Sequence, residues 1–456
     1  MSIVIFVVLG RLLSPEDFGL VSLGSVLIDV GALLTVSGFH RALVQRERLE
    51  PGHLDAAFWS STVVGCALCV ATVASADWIA GLLDEPRFAS VLRVLSLSFV
   101  IIAVGAVPYA MLHRQMAFKA FAARQLLATV AGGGVGVGLA FSGAGAWALV
   151  GQALASAVCS TIVVFASARW RPRLRFSVTH WREIAGFGTL SLGIDLLDVL
   201  KNRFDDLLIG VVLGATALGY YGVAFRTYSI ALEVVTYSLS AVVFPILSRI
   251  VADRERGGRA VVTITKFTVC ATVPLFLGLA AIADQALLGL FGPQWGPAVV
   301  VLRILCVAAA LGAGVTVTRD VVLAAGRPRL ELHKTLVYTL LLIVGFAIGV
   351  QWDLSGVAHS RAVVAAVMIP IELYVLLRVV PFNVRSYMLT WIRPLPAVAA
   401  MLAVILGARA VFDPPISIVW LAALTTAGAA TYVMVLWLTA QQTVREGVSR
   451  LRTRHV

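Results

Sequence analysis

Polar and apolar positions alternate along this chain on the scale of whole helices. Stretches of about 20 apolar residues, the length that crosses ~30 Å of hydrocarbon, recur from end to end and are divided by short polar loops. Fourteen such stretches can be marked, at 1–9, 20–36, 56–76, 94–112, 121–141, 146–168, 184–213, 220–247, 261–291, 299–325, 336–350, 362–379, 394–408 and 416–439. The pattern predicts an all-α polytopic integral membrane protein of about 14 transmembrane helices. The first stretch is too short to cross hydrocarbon at ~1.5 Å per residue. A start assigned late, or a truncated first helix, is therefore expected. A cleaved leader is disfavoured, because neither a basic segment nor a small-residue cleavage site precedes Pro15.

Composition sharpens the picture. The 456 residues are 60% hydrophobic and only 13% charged, against roughly a quarter charged in soluble proteins. This excludes a soluble enzyme, a disulfide scaffold and a disordered chain. A net charge of +12 would point to nucleic acid in a soluble protein, but the placement of the charges points elsewhere. Loops after even-numbered spans carry most of the Lys and Arg, including Arg41, Arg46, Arg48, Arg114, Lys119, Arg124, the run from Arg169 to Arg182, and Arg445 to Arg454. Loops after odd-numbered spans carry only Arg11, Arg87 and Arg409. The positive-inside rule then predicts that the basic loops and the C-terminus are cytoplasmic.

Two landmarks repeat. Leu13-Ser14-Pro15-Glu16-Asp17-Phe18-Gly19 matches Leu213-Gly214-Ala215-Thr216-Ala217-Leu218-Gly219, and Val91-Leu92-Arg93-Val94-Leu95 matches Val301-Leu302-Arg303-Ile304-Leu305. In each case the second landmark follows a Gly-Leu pair, Gly81-Leu82 or Gly289-Leu290. A duplicated six-helix unit predicts an N-terminal lobe over 1–168, a basic cytoplasmic linker over 169–184, a C-terminal lobe over 185–380 and two further helices with a basic tail over 381–456. An even number of helices per copy relates the lobes by a pseudo-twofold axis along the membrane normal.

No nucleotide-binding or metalloprotease motif occurs, and no pair of His stands at metal-ligand spacing, so neither cofactor nor metal is expected. Cys66 and Cys69 form a CxxC inside an apolar span and read as small packing residues. The pairs Gly132 with Gly136 and Gly134 with Gly138 read as close helix packing or a bendable helix. Short loops leave little room for a catalytic domain, and transport remains.

Ionisable residues inside spans are the strongest functional signal, because each costs at least ~2.5–3.5 kcal/mol in hydrocarbon. In the seventh span Asp195, Asp198, Asn202 and Asp205 share one helical stripe, flanked by Lys201 and Asp206, with Arg203 off it. In the eighth, Arg226, Ser229, Glu233, Tyr237 and Ser240 share a face. Two readings compete, internal ion pairs such as Asp198 with Lys201, or a hydrophilic cavity. The length of the stripe favours the cavity. Further candidates are Arg319 with Asp320, and Arg361 with Glu372. Arg93 and Arg303 read as snorkelling to the interface.

Several segments carry a resemblance: Gly10-Arg11-Leu12-Leu13-Ser14-Pro15-Glu16-Asp17-Phe18-Gly19, Ala42-Leu43-Val44-Gln45-Arg46, Asn202-Arg203-Phe204-Asp205-Asp206-Leu207-Leu208-Ile209-Gly210 and Gly292-Pro293-Gln294-Trp295. In this order they resemble the Wzx-type polysaccharide and O-antigen flippases of the multidrug/oligosaccharidyl-lipid/polysaccharide exporter superfamily. The likeness extends to about Arg329, and the family's longer first helix is the main departure.

The resemblance implies a two-lobed transporter in the bacterial cytoplasmic membrane. Its substrate would be an undecaprenyl-pyrophosphate-linked oligosaccharide, moved by alternating access for exopolysaccharide or lipopolysaccharide synthesis. It also implies partners among polymerases and glycosyltransferases, and no nucleic acid. On that reading Lys201, Arg203, Arg226, Arg319 and Arg361 would contact the anion, Arg being suited to bidentate phosphate binding. Asn202, Ser229 and Tyr237 would contact sugar. Asp195, Asp198, Asp205 and Glu233 would carry coupled protons or Na⁺. A lipid II flippase, a multidrug or cation antiporter, and a membrane polysaccharide polymerase remain as alternatives.

Overall fold

A computed structural model describes the backbone of residues 2–46, 48–250, 254–412 and 415–439. Side chains at 2, 36–38, 41, 185–198, 200–201, 236–250, 254, 315–316 and 439 are outside the description. Among the described residues there are helices joined by short turns and loops, and no strand. In order the helices are α1 (Ser2–Leu12), α2 (Pro15–Gln45), α3 (Pro51–Leu82), α4 (Pro86–Leu95), α5 (Leu97–Arg114), α6 (Phe118–Phe141), α7 (Ala146–Ala168), α8 (Val178–Val212) and α9 (Gly214–Ile250). They continue with α10 (Arg254–Ala281), α11 (Ala283–Phe291), α12 (Gly296–Leu311), α13 (Val315–Ala324), α14 (Pro328–Gly349), α15 (Asp353–Val379), α16 (Val384–Ile392), α17 (Leu395–Phe412) and α18 (Ile418–Thr439). Among the described residues, ten stretches are long and apolar enough to cross a membrane. By that measure the all-α membrane class stands, and the expected fourteen spans are not all counted. Span four is α4 and α5 with a break at Ser96, whose hydroxyl donates to the Arg93 carbonyl at 2.6 Å. Span ten is α12 and α13, divided at Gly312–Gly314.

The chain gathers into two compact units, Met1–Gly222 and Val223–Val456. In the first, α8 packs along α2 and α3, and α6 packs on α7. Of the glycines in α6, Gly132 and Gly136 face α7, while Gly134 and Gly138 face open space. In the second unit α14 pairs with α15 and α12 with α15, and α10 backs onto α12 and α17. The last two helices are tied in by an apolar core that includes Val269, Met401, Ile405, Leu424 and Tyr432. The Tyr432 hydroxyl donates to the Cys270 carbonyl at 2.7 Å.

The start of α2 shows how the sequence sets these joints. Ser14 is the N-cap and Pro15 the first helical residue, the position where a missing N–H costs nothing. The Ser14 hydroxyl accepts from the Asp17 amide at 3.2 Å, and Asp17 Oδ2 accepts from the Ser14 amide at 3.2 Å. The other Asp17 oxygen accepts from the Ala146 amide at 3.0 Å, so one buried carboxylate caps both α2 and α7. Gly145, at φ +58°, makes the turn into α7 and leaves room for that carboxylate. Gly19 lies so close to Ala215 that a Cβ would strike its carbonyl oxygen, and Gly219 lies equally close to the Pro15 carbonyl. Offset by 200 residues, 15 corresponds to 215 and 19 to 219. The two matched segments therefore touch reciprocally. The second landmark behaves alike, since Arg93 pairs with Asp77 and Arg303 with Asp284. Both guanidinium groups are thus neutralised as well as partly exposed.

At the basic end of the first unit, α3 and α8 are joined by a reciprocal pair of contacts. His53 Nδ1 accepts from the Glu50 amide at 3.1 Å, which leaves Nε2 to donate to Glu183 at 3.0 Å. His180 Nε2 contacts Glu50 at 3.1 Å, and the two imidazole rings meet edge to face at 4.5 Å. The hydrogen bond from His53, joined by the charge of Arg46, holds the Glu183 carboxyl below the usual glutamate range.

Two outcomes are expected. Asp17→Ala should destabilise the folded protein by about 2 kcal/mol in detergent, since each lost cap is worth ~0.5–2 kcal/mol, whereas Glu16→Ala, which breaks only an exposed contact to Arg87, should cost under ~1 kcal/mol; Gly19→Ala should cost about 1–3 kcal/mol through overpacking. Thermal denaturation of the purified chain measures all three. Because the Glu183 pKa is lowered on folding, its stabilising contribution is complete above the ordinary glutamate pKa and is lost as pH falls through the folded value. Amide protection over 178–184, taken relative to the intrinsic exchange rate at each pH, should therefore fall at acidic pH in the native chain and lose that dependence in Glu183→Gln.

Candidate functional site

The residues expected to form a polar stripe lie on α8 and α9. Asp195, Asp198, Lys201, Tyr237 and Ser240 fall outside the described side chains. Asn202 is exposed. Arg203 is held between two carboxylates, with Nη2 at 2.6 Å from Asp29 of α2 and Nη1 donating to Asp206 at 3.1 Å. Asp205 is buried and accepts from the Tyr221 hydroxyl at 2.6 Å. This part of the stripe joins α8 to α2 and to the start of α9 by paired polar groups. Asp206 is nearly buried while Asp29 is 42% exposed, so the inner half of the Arg203 bridge is the costlier to break.

The α9 residues of the second unit are more open. Arg226 Nη1 lies 3.5 Å from Glu233, seven residues on, and both side chains are about half-exposed. Ser229 lies between them in sequence and is half-buried. Arg361 does not reach Glu372: eleven residues along a helix is about 16 Å, three turns. Its guanidinium lies instead over the rings of Phe225 and Phe346, at 5.0 and 5.5 Å from their centroids. Tyr228 is near the same guanidinium and is packed on Phe276. Glu372 pairs with Lys334 of α14. Arg319 is exposed beside Asp320 on α13.

Some polar residues had no place in the expected site. Asp29, a single carboxylate in an otherwise apolar span, is the partner of Arg203. Glu331 and Lys334 stand just before the eleventh apolar stretch and read as loop; their i, i+3 spacing with opposite charge was the available signal. At the basic end of the first unit, His40, Tyr109, His113 and Phe121 make a continuous set of ring contacts. The Arg124 guanidinium lies 5.0 Å over Tyr109 and donates to Ser160 at 3.0 Å. Arg114 donates to the carbonyls that end α2, those of Leu43, Val44 and Arg46. Trp295, in the Gly-Pro-Gln-Trp segment, is fully buried against Phe291.

Residues 8–300 match the model of a family described as polysaccharide biosynthesis protein. The chain belongs to the polysaccharide biosynthesis protein family. This chain is 30% identical over 298 residues to the succinoglycan biosynthesis transport protein ExoT of Rhizobium meliloti (strain 1021), covering 65% of this chain and 60% of that protein's length. It is 26% identical to the teichuronic acid biosynthesis protein TuaB of Bacillus subtilis (strain 168), covering 80% of this chain and 76% of TuaB. The lipopolysaccharide biosynthesis protein WzxC of Escherichia coli (strain K12) is 24% identical, over 84% of this chain and 79% of WzxC. The fold is similar to that of a solved structure of the lipid II flippase MurJ, described as an inward closed conformation, with a TM-score of 0.77, 16% identity and 97% of each chain covered. It also resembles an inward-facing multidrug resistance MATE family transporter, with a TM-score of 0.65, 17% identity, and 83% of this chain and 94% of that one covered. This member of the polysaccharide biosynthesis protein family is thus a multi-pass helical membrane protein with the transporter fold shared by MurJ and MATE proteins.

The geometry predicts that Arg203→Ala lowers the melting stability by about 1–3 kcal/mol, the cost of leaving a nearly buried carboxylate short of a charged partner, and that Asp29→Ala lowers it by less. A double-mutant cycle in detergent reads the coupling. Unchanged stability with impaired transport would instead make Arg203 a substrate contact.

Proposed function

We propose that this protein is a flippase. It carries a lipid-linked oligosaccharide from the cytoplasmic to the outer leaflet of a bacterial cytoplasmic membrane, for assembly of a surface polysaccharide. The observation that supports this most is the family match over residues 8–300, together with relatives named for transport or biosynthesis of succinoglycan, teichuronic acid and lipopolysaccharide. The two-lobed helical repeat, the pseudo-twofold axis and the cytoplasmic placement of the basic loops and C-terminus are part of this proposal.

The physical task is to move a diphosphate and a hydrated glycan through hydrocarbon in which each charge is costly. A polar path relieves that cost for the headgroup while the polyprenyl chain stays in lipid. In the proposal Arg226 and Arg319 contact the diphosphate, being exposed and able to form bidentate bonds. Lys201 joins them, and Asn202, Ser229 and Tyr237 meet the sugar. Arg203 serves the α2–α8 joint, and Arg361 is kept in its aromatic seat as a second, more buried cation. Asp195, Asp198, Asp205 and Glu233 are proposed carriers of coupled ions, and polymerases and glycosyltransferases the proposed partners.

The test is reconstitution of the full chain in vesicles containing an undecaprenyl-pyrophosphate oligosaccharide on the inner leaflet, with lectin binding or glycosidase cleavage outside as the readout. The native chain should expose the sugar, and Arg226→Ala should slow exposure about tenfold, equivalent to losing about 1.4 kcal/mol of a charged contact, with normal amounts of folded protein. Movement of lipid II but not of the oligosaccharide lipid would transfer the reading to a lipid II flippase. Extrusion of organic cations without lipid movement would transfer it to a multidrug transporter.

A further inference from the structure

One buried ionic cluster contains none of the residues proposed to meet the substrate, although Arg319 lies near it through Asp320. On α14, Glu331 and Lys334 stand one turn apart, and α15 brings Glu372 against them. Lys334 Nζ lies 2.9 Å from Glu331 Oε2 and 3.4 Å from each carboxylate oxygen of Glu372. Lys334 is 6% exposed and Glu372 4%. Glu372 Oε1 and Glu331 Oε2 are buried and accept no hydrogen bond among the described residues. The carboxylate of Glu372 is thus more than nine-tenths buried and aimed at the cluster, with only long contacts to its cationic partner Lys334.

The surroundings leave its charge uncancelled. From α13, the Thr318 hydroxyl lies within hydrogen-bonding reach of both Glu372 and the Gly314 carbonyl, the latter at 3.2 Å, while Asp320 lies beside both Arg319 and Glu331. From α14, Thr335 contacts Glu331 Oε1 at 3.4 Å. From α16 comes the phenol of Tyr387. Along α15 itself, the Arg378 guanidinium lies over Tyr374, 4.8 Å from the ring centroid, and Arg327 donates to the Arg378 carbonyl. From α12, Cys306 lies toward Tyr228 and Arg303 pairs with Asp284. Arg319 and Asp320 offset one another, so two carboxylates share one ammonium and a single negative charge is left in a nearly dry site.

We propose that Glu372 is a reversible proton-binding site, with the Glu331–Lys334 pair completing its charge balance. The added proton goes to the Glu372 oxygen that accepts no hydrogen bond. Lys334 stays with Glu331, its closer partner by half an ångström. Lys334 also fills the place between the carboxylates that Na⁺ would need, and this selects a proton over a metal cation. Coupling of this proton to transport rests on the flippase reading above.

The experiment separates the two. Infrared difference spectra of the purified full chain, titrated with acid in Na⁺-free buffer without substrate, should show the carbonyl band of one buried carboxylic acid. That band should be absent from Glu372→Gln and retained in Glu331→Gln, and in Lys334→Gln its midpoint should move to higher pH. Glu372→Gln keeps the side-chain shape and removes the surplus charge, so it should melt no lower than the native chain. In vesicles with a pH gradient, Glu372→Gln should lose acceleration of sugar exposure by the gradient. A spectrum identical in the native chain and Glu372→Gln, or a carboxylate signal that responds to Na⁺ at constant pH, overturns the proton site and leaves the flippase reading intact. A titrating Glu372 band in a chain that moves no lipid-linked glycan supports the site and overturns the flippase reading.

Discussion

The first unit depends on one carboxylate at the mouth of α2. Asp17 satisfies amides at the starts of two helices that are 129 residues apart in the chain, and so fixes the position of α7 relative to α2. Helix starts carry unsatisfied N–H groups, and in a membrane protein few waters are at hand to satisfy them. The residues around Asp17 follow from its role: Ser14 completes the capping box, Pro15 begins the helix, Gly145 clears space for the carboxylate, and Gly19 lets α2 lie against the first turn of α9. A segment that identifies the family by resemblance thus proves to be a joint.

The same holds for the other segments that carry the resemblance. Leu43 is core, and Arg46 reaches Glu183. Arg203 bridges α2 and α8, Asp205 takes the Tyr221 hydroxyl, and Trp295 is buried. These residues set the scaffold, while the more exposed Asn202, Arg226 and Arg319 stand outside it. The family's relatives are named for different polysaccharides, and the segments they share with this chain are, in this structure, those that hold helices together.

Much of the fold was legible because long apolar runs bounded by Pro, Gly and basic loops have few alternatives to helices in lipid. Ser14, Pro15 and Asp17 spell a helix start in sequence alone, and the matched Arg93 and Arg303 each pair with a carboxylate, Asp77 and Asp284, that the apolar pattern did not point to. The polar partners were harder to read. Asp29 and Arg203 are remote in sequence, as are Lys334 and Glu372, and charge spacing along one helix says nothing of which neighbour a second helix will present. Arg361 illustrates the limit: helical periodicity put it on one face with Glu372, but the rise per residue separates them by three turns and leaves the guanidinium to the rings of Phe225 and Phe346.

The contact of Gly19 with Ala215 and of Gly219 with Pro15 is isologous, one patch meeting its own copy. Each glycine receives a carbonyl from the other segment, so a side chain added at either one would push the same two backbones apart. The caps are not shared in the same way: Ser14 and Asp17 stand where the second segment has Gly214 and Ala217, so the two sides of one close backbone contact are held in place by different chemistry.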